Sequence, residues 1–134
     1  MAGARSLLEA SGIEVTTVAD GSGMLPAPVA RAFAWVVREG TTNILRHADA
    51  SRVRIALSSE PDRARLVLDN DHPQPATGQA GSGLAGLTER LAEVGGRLWV
   101  DHGADRFTLT AEVSDLALDR LRAASGLPEA GGQS

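Results

Sequence analysis

Residues 29–57 read VARAFAWVVREGTTNILRHADASRVRIAL, and the spacing of their apolar residues changes period part-way. Val29, Phe33, Val36, Val37, Ile44 and Leu45 recur at the spacing of one helix face. Val53, Ile55 and Leu57 then alternate with Arg52, Arg54 and Ala56, the pattern of a half-buried strand. The helix is expected to begin near Pro26 or Pro28, because the fixed φ of proline suits a first helical turn. It is expected to end between His47 and Ala50. A long amphipathic helix feeding straight into a strand sets the frame for the rest of the chain.

Downstream, Pro61-Asp62 reads as a turn and Leu66, Val67 and Leu68 as a strand pairing back in a hairpin. Asn70 to Ser82 is rich in Pro, Gly, Gln and Asp without periodicity, which predicts a loop long enough to be functional. Leu84, Leu87, Leu91 and Val94 mark a second helix closed by Gly95-Gly96. Leu98 and Val100 begin a strand, His102 to Asp105 turns it, and Phe107, Leu109, Ala111 and Val113 return it. A last helix is expected from about Asp115 to Ala124. Upstream, Arg5 to Ala10 is a short helix candidate, and Ile13, Val15 and Thr17 alternate with Glu14 and Thr16 as a strand. Hairpins interleaved with helices predict an α/β two-layer sandwich: one mixed β-sheet with helices packed on one face.

The length of 134 residues fits a single domain over residues 1–134. Hydrophobic residues at 43% allow a real core, and aromatics at 3% mean that Leu, Val, Ile and Ala build it. A net charge of -4 argues against general nucleic-acid binding, which needs a basic face. It leaves room for one phosphate ligand at a locally positive site. With no cysteine, disulfides, thiolate chemistry and Cys-based zinc sites are excluded. No apolar run approaches the roughly 20 residues that span a bilayer. The N-terminus does not read as a signal peptide. Met1-Ala2-Gly3 and Gly131-Gly132-Gln133-Ser134 read as domain edges.

Three constellations carry chemistry. On the long helix, Glu39, Asn43, Arg46 and His47 fall at i, i+4, i+7 and i+8 and share one face. The Asn43 amide oxygen can coordinate Mg²⁺. Glu39 can orient or deprotonate a nucleophile, and Arg46 and His47 can balance phosphate charge. Taken alone, this could equally be a solvated polar helix face. The second is Asp69-Asn70-Asp71-His72-Pro73 at a strand end, which taken alone reads as turn chemistry. The third is Gly81-Ser82-Gly83-Leu84-Ala85-Gly86-Leu87-Thr88-Glu89-Arg90-Leu91, glycines leading into an amphipathic helix. Free N–H groups at such a start bind phosphate. Its G-x-G-x-x-G spacing is not a dinucleotide fingerprint, because a Pro/Gln-rich loop rather than a strand precedes it. No G-x-x-x-x-G-K-[ST] occurs. The histidines His47, His72 and His102 do not fall at metal-ligand spacing.

In this order the three motifs resemble those of the GHKL (Bergerat-fold) ATPases, and within them the NarL/DesK-type sensor histidine kinases. REGTTNILRHADASRVRI looks like their N box and following strand, and GSGLAGLTERLAEVGGRLWV like their G2 box with its helix and strand. The resemblance covers about residues 12–113. It implies ATP and Mg²⁺ held between the long helix and a lid at about Pro73 to Ser82. By that resemblance Asn43 holds Mg²⁺, Glu39 assists phosphoryl transfer, and Arg46 and His47 face the phosphates. Gly81, Gly83, Leu84, Gly86 and Leu87 form the lid-side phosphate contact. The middle motif departs from the family pattern Asp-x-Gly-x-Gly. Aligned on the preceding strand, Asn70 takes the adenine position and His72 stands where Gly is expected; a slide by one residue puts Asp69 there instead. An Asn accepts the adenine N–H without the charge assistance of a carboxylate.

The resemblance implies a phosphoacceptor histidine on a separate upstream dimerisation domain, a downstream response regulator and a cytoplasmic location, with no nucleic acid and no membrane contact by this segment. None of the three histidines is expected to be phosphorylated. Two rivals share the fold: an anti-sigma-factor serine kinase, and a degenerate, non-catalytic interaction module.

Overall fold

The structure is a computed structural model that describes residues 2–21, 25–47, 49–60, 63–72 and 81–114; of residues 2, 47 and 81–83 it describes the backbone alone. The elements run α1 (Ala2–Ala10), β1 (Glu14–Asp20), α2 (Ala27–His47), β2 (Arg52–Glu60), β3 (Arg63–Asp71), α3 (Gly81–Glu93), β4 (Gly96–His102) and β5 (Arg106–Ser114). The strands form one sheet in the order β1-β2-β3-β5-β4. β1 pairs parallel to β2, and the other three pairings are antiparallel. The expected mixed sheet is therefore present. The final helix expected at about 115–124 lies outside the described residues.

Strand alternation builds the core. Val53 and Ile55 on β2, Ala64, Leu66 and Leu68 on β3, and Leu109, Ala111 and Val113 on β5 are all buried. They face Val29, Phe33, Val36, Val37 and Ile44 of α2 and Leu87 and Leu91 of α3 in one cluster. Each such aliphatic side chain contributes about 1.5–3 kcal/mol by leaving water. The other sheet face is mixed: Arg63 and Arg65 both reach Glu112 at 3.6 and 3.5 Å, and Val18, Ala56, Val67 and Trp99 fall in one cross-strand row with Thr110. Exposed ion pairs of this kind stabilise little.

Gly40 lets α2 lie close to the sheet. A Cβ there would overlap Leu68 Cδ2 and stand 3.4 Å from Leu68 Cγ and 3.7 Å from Leu109 Cδ2. Both leucines are buried, so neither can swing aside cheaply. The absence of a side chain at 40 thus sets how near its neighbours Glu39 and Asn43 come to the end of β3.

Candidate functional site

One end of the sheet gathers the C-terminus of α2, the end of β3 and the start of α3. The turn after α2 joins this end through the Asp49 N–H, which donates to the His72 carbonyl at 3.1 Å. The opposite end is marked by Arg63 opposite Ser114 and by Gly96 opposite Val113. α3 leads into β4 at that far end, so its first turn lies at the β3 end and it runs antiparallel to α2, against which it packs.

On α2, Glu39 and Asn43 are half-buried one turn apart. Arg46 is exposed and borders a groove between α1 and α2 together with Arg38 and Thr41. His47 closes α2, but its side chain lies outside the described residues. Thr41, 4% exposed, buries a hydroxyl with no hydrogen-bond partner among the described residues.

At the end of β3 the two sliding alignments part. Asn70 is 3% exposed and shares the helix-facing side with Ala64, Leu66 and Leu68. Asp69 has the opposite parity and faces away from the helices. Of the two, Asn70 is the one on the helix side of the sheet. The Asn70 amide nitrogen donates to the Asp71 carbonyl at 2.9 Å, and its oxygen is the atom suited to accept from an amino group.

β3 continues to Asp71, so the strand runs into the segment read as loop. The reason is Asp71 itself. Its Oδ1 accepts from the Ser51 N–H at 2.8 Å and the Arg52 N–H at 2.9 Å, tying the end of β3 to the start of β2. Partial burial works to raise the Asp71 carboxyl, but the Arg52 and Ser51 N–H donors and the nearby His72 outweigh it. The group is held below its ordinary value of 3.8.

His72 takes a left-handed backbone, φ 48°. That is the conformation that favours glycine, the residue the family pattern has at this position. Histidine is among the few non-glycine residues that visit it. Its N–H donates to the Asp105 carbonyl at 3.3 Å, and its Nδ1 lies 3.4 Å from Asp71 Oδ2.

The glycine-rich motif begins α3 at Gly81, so Gly81 and Gly83 occupy its first turn, where backbone N–H groups have no partner within the helix. Leu84 is half-buried against the core and Leu87 is buried, anchoring this turn. A Cβ on Gly86 would meet nothing within 4 Å. Residues 73–80, most of the expected lid, lie outside the described residues. Among the described residues no group of three or more His, Cys, Asp or Glu could hold a metal ion. A divalent cation here would take one protein oxygen, from Asn43, and the rest from a phosphate ligand and water, as Mg²⁺ commonly does.

Sequence reasoning placed Asp71 in the strand-end cluster but gave it no role of its own, because its signal is that of ordinary turn chemistry. It missed Trp35, a half-buried ring on α2 with the Arg90 guanidinium 4.0 Å and the Arg38 guanidinium 5.2 Å from its centre. Such contacts contribute about 0.5–2 kcal/mol.

Relatives point the same way as the geometry. Sensor histidine kinase MctS of Rhizobium johnstonii is 32% identical over 110 residues, 77% of this chain and 24% of its own length. The histidine-protein kinase/phosphatase UhpB of Salmonella typhimurium is 38% identical over 72 residues, 51% of this chain and 14% of its own length. The chain is thus similar in sequence to sensor histidine kinases and in fold to histidine kinase catalytic domains. It matches only about a fifth of the length of these curated relatives. No family model matches it. The blue-light activated histidine kinase of Erythrobacter litoralis superposes with a TM-score of 0.65 at 20% identity, covering 90% of this chain and 41% of that one. The catalytic domain of histidine kinase ThkA superposes with a TM-score of 0.53 at 16% identity, covering 85% and 88%. At these identities the structural likeness establishes the fold alone. No described helix of the chain is long and apolar enough to cross a membrane.

Proposed function

We propose that this domain binds ATP with Mg²⁺ and presents the γ-phosphoryl group to a histidine on a separate dimerisation domain of the same kinase, with a response regulator as the downstream acceptor. The observation that carries this reading is the convergence, at one end of the sheet, of the Glu39–Asn43 edge, buried Asn70 and the glycine-rich start of α3. The motif pattern supports the NarL/DesK type, and a cytoplasmic location follows from the same reading.

The roles follow from chemistry at fixed positions. Asn70 offers an amide oxygen to the adenine amino group. The first turn of α3 offers unpaired N–H groups to phosphate oxygens. Asn43 offers the protein oxygen for the cation, and Glu39 orients the attacking imidazole and can take its proton. Mg²⁺, when bound, supplies charge neutralisation on the phosphates. Phosphoryl transfer asks little covalent chemistry of a protein beyond such positioning. Arg46 and His47, at the end of the same helix, would face the phosphates.

His72 motivates the second reading, a domain that docks partners without using nucleotide, because it adds bulk and a fixed backbone beside the base site. Thermal unfolding separates the two. The catalytic reading expects the melting temperature to rise with ATP and Mg²⁺ and to respond less to GTP. A melting temperature indifferent to every nucleotide, with Mg²⁺ present, would leave the docking module.

A further inference from the structure

Arg90 and Trp35 belong to neither half of the site, yet they join the two helices that frame it. Leu87 and Leu91 hold α3 down on the sheet. Apolar contact of that kind is non-directional and leaves the position of α3 along α2 weakly fixed. The Arg90 guanidinium over the Trp35 ring, at 4.0 Å, is a lateral contact between the two helices. It has a preferred geometry over the ring face.

The contact sits at a telling level. Trp35, Glu39 and Asn43 succeed one another at four-residue steps along α2, so Asn43 lies about 12 Å from Trp35 toward the site. Gly83 precedes Arg90 by seven residues on antiparallel α3, which places it about 10 Å from Arg90 in the same direction. With Arg90 over Trp35, the glycine turn is drawn level with Asn43. A slip of α3 by one residue would move the N–H groups of that turn by about 1.5 Å. Arg90 itself is too far along the helix to touch a ligand at the first turn.

We propose that Trp35 and Arg90 are positioning residues whose stack fixes the axial setting of α3 and so holds the Gly81–Gly83 turn opposite Glu39 and Asn43. This rests on the proposed nucleotide binding. The contact acts on the phosphate half of the site and not on the base half, because Asn70 is set by β3.

The test compares two probes on the full chain by calorimetry: ATP with Mg²⁺, and adenosine, which has no phosphate. Arg90→Met and Trp35→Leu are each expected to weaken ATP binding about tenfold, the size of one lost cation–π contact, and to leave adenosine binding unchanged. The double variant is expected to lose no more than Trp35→Leu alone, since that change already removes the Arg90 contact. Arg90→Lys, which keeps a cation, is expected to restore most of the affinity. If Trp35→Leu does not fold, Arg90→Met carries the comparison, because it keeps the apolar stem. Equal loss of ATP and adenosine, additive losses, or unchanged ATP affinity would each overturn the positioning role. Wild-type chain that binds neither probe would overturn the nucleotide reading itself, and the proposal with it.

Discussion

The two halves of the proposed site are built in opposite ways. The proposed phosphate half would rest on side chains and N–H groups supplied by two helices, α2 and the start of α3, which meet through apolar packing and the Arg90–Trp35 contact. The proposed base half would rest on the end of one central strand, tied on both sides. Asp71 takes two N–H donors from the start of β2, and the His72 backbone bonds to Asp49 and Asp105. The second carries the departures from the family pattern, Asn70 and His72, and holds His72 at φ 48°, a conformation few non-glycine residues adopt.

Each of four substitutions presses on this contrast. Gly40→Val should be the most damaging to stability. Its side chain must displace Leu68 under α2, and overpacking of this kind costs about 3 kcal/mol. Chemical denaturation checks it; a loss below about 1 kcal/mol would mean that α2 can lift from the sheet. Asp71→Ala should cost about 1.5–3 kcal/mol, because two N–H groups lose a charged acceptor. The wild-type contribution has a defined pH sense. A carboxyl held below its ordinary 3.8 stabilises fully above that value and loses its contribution as pH falls through the lower, folded one. The stability gap between wild type and Asp71→Ala should therefore be flat near neutrality and close in acid. A gap that is unchanged in acid contradicts the role given to Asp71.

His72→Gly should raise stability by about 1 kcal/mol, by relieving a left-handed non-glycine backbone. It should also tighten nucleotide binding if the imidazole crowds the base. A melting temperature that falls instead would show that the His72 side chain contributes more near Asp71 than the backbone strain removes. Gly86→Ala should be the mildest. The site is open to a Cβ, and alanine is favoured within a helix by about 0.5–1 kcal/mol. A weakened ATP affinity in a chain of unchanged or higher stability would place the Gly86 backbone close to the ligand.

The contrast between the halves also explains what the sequence could convey. α2, β2 and the β4–β5 hairpin were legible because their apolar spacing has one period each. The face of β3 was not, because Leu66, Val67 and Leu68 are consecutive apolar residues and leave the parity of Asn70 and Asp69 open. Only the register, with Asn70 opposite Val53 and Phe107, puts Asn70 inward. Asp71 was invisible as a strand tie because an Asp before His-Pro reads as a turn. The Arg90–Trp35 contact joins residues more than fifty positions apart, and no local pattern announces it.

The most direct measurement is a calorimetric titration of wild type and Asn43→Ala with ATP, each with and without Mg²⁺. Wild type should bind ATP, and bind it more tightly with Mg²⁺. Asn43→Ala should lose that Mg²⁺ dependence while the fold, followed by its melting temperature, is kept. An Asn43→Ala chain whose affinity still rises with Mg²⁺ as in wild type would contradict the assignment of the cation to the α2 edge.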